Sequence, residues 1–271
     1  PREYIIGNAK KLKMKLGFDL RQDAFIIEIL KLMDKLWLEN NLDLKLITYK
    51  VFPTDINFGY IELVDSTSLN QIKNSTGIGG ALDREIIIKH LRCTSTDDSY
   101  EIGFNDKTDN FIKSLAAYCV ATYVLGIANR LTKKVLIKNN GIFLHTDFSR
   151  ALGNYKRSLG IKKERSKFLL TPEMANVYVY EQKEEQFKKY CVKAFNILRK
   201  NASRIINLFI IMSTAGLNSL YKISDLEYIK HMLVLDRSND EDAGNYFIEQ
   251  IKKCKNERLR QLDFFLQNLK L

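Results

Sequence analysis

Two rhythms of apolar residues run along the chain. Lys11 to Leu16 alternate basic and apolar, which predicts a strand broken at Gly17. From Asp23 to Leu38 the apolar residues Ile26, Ile29, Leu30, Met33 and Trp37 recur at helical spacing. That predicts an amphipathic helix, with Asp19 placed to cap its start. Leu44, Leu46 and Val51 read as a strand, Pro53-Thr54-Asp55 as a turn, and Gly59 to Val64 as a second strand. The front portion, to about residue 65, is therefore mixed α and β.

The remainder is mostly helical. Ser75 to Gly80 reads as a glycine-containing loop, and Thr94 to Asp109, rich in Asp and Ser, as an exposed connection. Phe111 to Leu125 predicts a long apolar helix ending at Gly126, where a C-terminus favours glycine. Val135 to Lys138 and Ile142 to His145 flank Asn139-Asn140-Gly141, a strong hairpin signal. Residues 184 to 254 form several helices, and a short amphipathic helix closes the chain. The order describes an α+β domain of two lobes around a cleft, a partial small lobe over 1–65 and a larger helical lobe over 66–271.

The formal net charge of +11 favours an anionic partner. Cys93, Cys119, Cys191 and Cys254 are scattered without metal-ligand spacing, as expected of reduced thiols in a cytoplasmic protein. No signal-peptide pattern is present. The longest apolar stretch, Ile205 to Met212, is far too short to span a bilayer. Pro1 in place of an initiator Met suggests a domain cut from a longer chain.

More specific information lies in Tyr118 to Gly126, YCVATYVLG, and the run that follows, IANRLTKKVLIKNNGIFLHTDFSRALGNYK. Asp19-Leu20-Arg21-Gln22-Asp23, Leu42-Asp43-Leu44 with Tyr49, Gly160 to Arg165 (GIKKER) and Leu170-Thr171-Pro172 add to it. In this order the motifs resemble the catalytic domain of phosphoinositide 3-kinases, from about residue 11 to the end. The GIKKER…LTP segment looks closer to class I members. The family's phosphate-binding loop lies in strands before the position of Lys15, and the few preceding residues are too short to supply it.

The resemblance implies ATP and Mg²⁺ as cofactors and a two-lobed, protein-kinase-like fold. Phosphoryl transfer needs a cation on the phosphates, metal ligands and a group to handle the hydroxyl proton. By resemblance Lys15 is the ATP-phosphate lysine, Asp147 the Mg²⁺ ligand, and Asp23 and Tyr49 floor the pocket. Glu62, Leu63 and Val64 fall at the hinge, where adenine bonds backbone. Ser149 replaces a glycine, which restricts backbone freedom there. His145 is open between a catalytic and a structural role.

The loop Asn129-Arg130-Leu131-Thr132-Lys133-Lys134 departs from the family's Asp-Arg-His-Asn-Asp-Asn. Asn129 replaces the catalytic Asp, and an amide is no substitute for a carboxylate base worth about 10²–10⁴-fold. Leu131 replaces the His. Lys134 replaces a metal-ligating Asn, and an ammonium has no lone pair for a metal. It can instead meet phosphate directly. Arg130 is kept but is a poor proton acceptor. The expectation is a phosphoinositide 3-kinase-type domain with impaired lipid phosphorylation. The alternative is a pseudokinase scaffold that binds nucleotide or phosphoinositide without turnover. A related protein kinase is a third reading, disfavoured by the basic segment.

Arg150 to Lys167 is strongly basic, and by resemblance Lys156, Lys162, Lys163 and Arg165 hold the inositol phosphates. Aromatics do not interleave there as a nucleic-acid platform requires, so no nucleic-acid partner is expected. Leu259, Leu262, Leu266 and Leu269 imply a tail helix that contacts the membrane or packs on the large lobe. The expected partner is a phosphoinositide at a membrane surface, with peripheral recruitment. A regulatory subunit or small GTPase would act through regions outside this chain.

Overall fold

A computed structural model describes residues 3–6, 10–75, 77, 83–93, 102–128, 130–153, 157–158, 161–162, 167–213, 223–236 and 239–256. The front sheet has β1 (Glu3–Ile6), β2 (Lys10–Leu16), β3 (Val51–Asp55) and β4 (Phe58–Glu62), in the antiparallel order β1-β2-β4-β3. Lys15 sits opposite Gly59 in the β2–β4 register. Between β2 and β3 runs α1 (Arg21–Glu39), on the predicted periodicity. Its cap position is Leu20 rather than Asp19. The Asp19 carboxylate still takes the Arg21 amide at 3.0 Å and binds the Arg21 guanidinium at 2.7 Å.

Residues 42–50 correct one expectation. Leu42, Leu44, Leu46 and Tyr49 are buried, with more exposed residues between them, yet this segment is irregular. Its strand-like rhythm comes from extended backbone laid on the core, without a neighbouring ladder. Lys45 turns through a φ of +53°, and the Ile47 carbonyl accepts the Tyr118 hydroxyl at 2.7 Å. The strand begins only at Val51 and includes the expected Pro53 turn residues.

A second sheet joins β5 (Thr67–Ser68), β6 (Val135–Ile137) and β7 (Phe143–His145) in that order. The β6–β7 pair is the predicted hairpin. Gly141 has φ +86°, and a Cβ there would overlap the Lys107 carbonyl, so glycine is required on two counts. After β5 come α2 (Leu69–Asn74), started by a Ser68–Gln71 capping box, α3 (Ile86–Cys93) and α4 (Phe104–Val124).

The start of α4 corrects a second expectation, because 104–109 is helix rather than exposed connection. Asp106 lies favourably in the first turn, and Lys113 pairs with Asp109 at 2.7 Å. This end meets the hairpin through polar bonds. Asn110 Nδ2 reaches the Asn140 carbonyl at 3.0 Å, and the Ser114 hydroxyl accepts the Phe143 amide at 2.9 Å. Such an interface leaves no apolar stripe in the sequence. Residues 94–101 lie outside the described part.

From Phe111 onward almost every α4 side chain is buried, as in a helix enclosed on all sides. Around it pack α5 (Pro172–Tyr180), α6 (Glu184–Lys200), α8 (Ile223–Met232) and other elements of the second half. Further helices are α7 (Ala202–Ser213) and α9 (Asp240–Asn256). Tyr123, Phe168 and Phe195 surround Phe247 with ring centroids 5.1, 5.7 and 4.8 Å from it. Each such side chain contributes about 1.5–3 kcal/mol by leaving water. Cys119, Cys191 and Cys254 are buried and Cys93 is exposed. Among the described residues no helix is long and apolar enough to cross a membrane. The tail helix expected around Leu259 to Leu269 lies outside them. The architecture is α+β, with small sheets and a predominantly helical second part.

Candidate functional site

Two segments that end at the site are tied by a backbone ladder. The Leu152 and Gly153 amides donate to the Leu125 and Gly126 carbonyls at 2.7 and 3.1 Å, and the Ala128 amide donates to the Arg150 carbonyl at 3.0 Å. The Tyr228 ring fills the space where a Cβ on Gly126 or Gly153 would stand. This ladder brings the segment leading into the loop beside the segment that follows Asp147.

Of the loop, Asn129 lies outside the described residues. Arg130 is buried and Leu131 half-buried. Residues Thr132–Lys134 make one 3₁₀ turn and lead into β6. The Thr146 amide and hydroxyl both donate to the Lys134 carbonyl, at 2.9 and 3.1 Å. This pair of hydrogen bonds to one carbonyl fixes where Lys134 leaves the backbone.

Its ammonium lies 2.5 Å from Asp147 Oδ2, and Lys15 from β2 approaches the same oxygen at 4.0 Å. The other carboxylate oxygen, Oδ1, accepts the Ser149 hydroxyl at 2.6 Å and the Ser149 amide at 3.3 Å. Burial pushes the Asp147 carboxyl up, but the bonds from Lys134 and Ser149 and both lysine charges hold it below the usual carboxylate range. Lys134 was expected to face phosphate; it bonds the carboxylate expected to hold the metal.

Asp147 itself has φ +69°, a left-handed conformation that Asp tolerates better than most residues. The position needing this backbone is thus Asp147, not Ser149. Neighbours clamp it. The Asp147 amide donates to the Tyr49 hydroxyl at 3.0 Å, and the Phe148 amide to Asp23 Oδ1 at 2.8 Å. Gln22 Nε2 donates to the Phe148 carbonyl at 2.9 Å, and the Phe148 ring stacks on Tyr49 at 6.2 Å. Burial drives the Asp23 carboxyl up to about 6, against the Phe148 amide and with the help of Asp147. Burial and the Asp23 charge push the Tyr49 phenol well above its usual value.

His145 at the end of β7 is buried, 5.5 Å from the Tyr118 ring and 5.3 Å from the Phe143 ring. Burial, then the Arg130 charge, brings its imidazole down to about 3. Lys15 is partly exposed and lies 5.4 Å from the Phe18 ring centroid. The Glu62 carboxylate accepts the amide of Lys50, the residue just before β3, at 2.9 Å. Val64 follows β4, its carbonyl accepting the Ser66 hydroxyl at 2.8 Å. In the basic segment, β8 (Arg157–Ser158) pairs with β9 (Ile161–Lys162), Arg157 opposite Lys162. Lys156, Lys163 and Arg165 lie outside the described residues.

Lys15, Asp23, Tyr49, Lys134 and Asp147, picked from five separate stretches, therefore meet at one place. Sequence reading passed over Gln22, Thr146 and the hydroxyl of Ser149. Gln22 stood in the quoted motif beside Asp23, and Thr146 beside Asp147; their polar termini were the available signal.

Magnesium in a nucleotide site takes one or two carboxylates and completes its octahedral shell with phosphate oxygens and water. Both oxygens of Asp147 are already bonded. As arranged, each Asp147 oxygen that would meet a divalent cation is engaged by Lys134 or Ser149. A polyphosphate suits the site better, since two partly exposed ammonium groups share one carboxylate.

The profile of the family described as phosphatidylinositol 3- and 4-kinase matches residues 10–221. The chain belongs to this family. It is 38% identical over 260 residues to phosphatidylinositol 3-kinase 1 of Dictyostelium discoideum, which covers 94% of this chain and 16% of the relative. Phosphatidylinositol 3-kinase piki-1 of Caenorhabditis elegans is 34% identical, over 95% of this chain and 17% of the relative. The phosphatidylinositol 4-phosphate 3-kinase C2 domain-containing subunit alpha of Pongo abelii is 32% identical, over 97% and 16%. The chain thus spans about a sixth of the length of these curated relatives.

Proposed function

We propose that this domain binds ATP and a phosphoinositide headgroup, and that its transfer of phosphoryl to the inositol 3-hydroxyl is strongly impaired. The carrying observation is the Lys134 ammonium on Asp147 Oδ2 at 2.5 Å. In this reading Lys15 meets the phosphates and backbone at Glu62 and Val64 meets adenine. Asp23 and Tyr49 hold the Asp147 backbone in place. Lys156, Lys162, Lys163 and Arg165 receive the headgroup of a membrane lipid, which recruits the protein peripherally. His145, enclosed by aromatic rings, acts as a packing residue. Asn129 supplies no carboxylate base and Leu131 no imidazole, so nothing in the loop takes the hydroxyl proton as a family member's loop would. Partners such as a regulatory subunit or small GTPase would engage other parts of the full protein.

The bonds on both Asp147 oxygens favour the second reading, a pseudokinase scaffold, wherever turnover is wholly absent. Full-length protein incubated with ATP, Mg²⁺ and vesicles containing phosphatidylinositol 4,5-bisphosphate separates these readings. Slow but measurable lipid phosphorylation supports impaired catalysis, and none supports the scaffold. Turnover at ordinary kinase rates overturns both.

A further inference from the structure

By resemblance Lys134 and Ser149 replace the family's Asn and Gly, and both side chains fold onto Asp147. The Lys134 ammonium takes Oδ2 and the Ser149 hydroxyl takes Oδ1. Ser149 is exposed, but the Lys134 contact is not that of a swinging surface side chain. The Lys134 backbone is held by two hydrogen bonds from Thr146, and its side chain is only 15% exposed. Asp147 is held by Tyr49 through its amide. The carboxylate is thereby turned from a ligand into the partner of a cation carried by the chain itself.

The remaining charge is what a ligand would meet. Lys15 stands 4.0 Å from the same oxygen, so two ammonium groups answer one carboxylate and the local balance is positive. Lysine hydrogens left over from the Asp147 contacts are donors suited to phosphate oxygens. A divalent cation brought in on a nucleotide would have to approach Asp147 past the Lys134 ammonium, like charge against like. A magnesium-free nucleotide is the more negative form and meets no such repulsion.

From this geometry we infer that the cleft takes a nucleoside triphosphate without a divalent cation, Lys134 standing in for the metal. The inference rests on the reading of the domain as nucleotide-binding and adds the form of nucleotide it prefers. Magnesium then competes with the protein for the phosphates instead of helping it bind them.

Calorimetric titration of the full-length protein with ATP, in EDTA and in excess MgCl₂, tests this through binding alone. The expected result is affinity in EDTA at least equal to that in magnesium. Lys134→Asn should lower the EDTA affinity about tenfold or more, as loss of a charge-assisted contact does, and Lys134→Met should match it. Binding that appears only with magnesium overturns the inference and leaves nucleotide binding standing. Binding in neither buffer overturns both. The wild-type comparison decides even where a variant fails to fold.

Discussion

The Tyr49 hydroxyl lies 3.0 Å from the Asp147 amide, which donates to it across 98 residues of sequence. That bond supports a residue whose backbone sits at φ +69°. A left-handed non-glycine residue costs about 1–3 kcal/mol and persists only where its surroundings impose it. Tyr49→Phe keeps the ring that stacks on Phe148 and removes only the acceptor. The expected loss is about 1–3 kcal/mol in urea unfolding, the cost of leaving a partly buried amide unsatisfied. An unchanged unfolding midpoint would show that Asp147 needs no such support.

On the proposed reading, giving the loop a carboxylate, an imidazole and a neutral amide should raise turnover. Asn129→Asp, Leu131→His and Lys134→Asn together return a base, a proton-handling group and a neutral metal ligand. The base alone is worth about 10²–10⁴-fold. Lipid phosphorylation by the triple variant should rise at least by the lower of these factors over wild type. A flat result would place the defect outside the loop, with Ser149→Gly the next change to add, because Ser149 still holds Asp147 Oδ1.

The pH dependence of stability should carry the mark of Asp23. Its carboxyl titrates at about 6 in the fold, raised by burial from 3.8. A raised value means the native state holds the proton more tightly. The associated stability is full below about pH 4 and is lost as pH rises through 6, a change of about 3 kcal/mol. Asp34, also raised to about 6 by burial and by Asp43, acts in the same window but less, since solvent screens it. Asp147 is shifted the other way, so its contribution is lost only in more acidic solution, as pH falls through its lowered value. Asp23→Asn keeps an acceptor for the Phe148 amide and should flatten the unfolding free energy between pH 4 and 6.5. A slope equal to wild type would rule out Asp23 as its source.

Trp37 joins the two halves of the sequence. Its indole N–H donates to the Ala194 carbonyl at 3.0 Å, from α1 to α6. Trp37→Ala removes the bond and empties a fully buried site, at an expected cost of about 3–5 kcal/mol. Chemical unfolding would register it as a lower midpoint; a change under about 1 kcal/mol would mean the site collapses around the gap.

Headgroup recognition has its own test. Replacing Lys162, Lys163 and Arg165 with Ala should abolish sedimentation with phosphatidylinositol 4,5-bisphosphate vesicles and spare any binding to neutral ones. Equal loss on both would point to general membrane affinity instead.

Much of this was readable in the chain because its strongest signals are local. The helix from Arg21, the Asn139-Asn140-Gly141 hairpin and the enclosed helix through Tyr118 each announce themselves within a short window. Leu44 and Leu46 misled because a lone extended segment alternates like a strand when one side rests on a core. The first turns of α4 were hidden because Asn110 and Ser114 meet the hairpin through hydrogen bonds, which leave no apolar period. At the site, residue types were legible and their pairing was not. Lys134 and Asp147 lie 13 positions apart, and only the antiparallel pairing of β6 with β7 brings them together.

That pairing also divides control of the carboxylate between two positions. Oδ2 faces the Lys134 and Lys15 ammonium groups, and Oδ1 the Ser149 hydroxyl and amide. A substitution at 134 therefore acts on one oxygen and a substitution at 149 on the other.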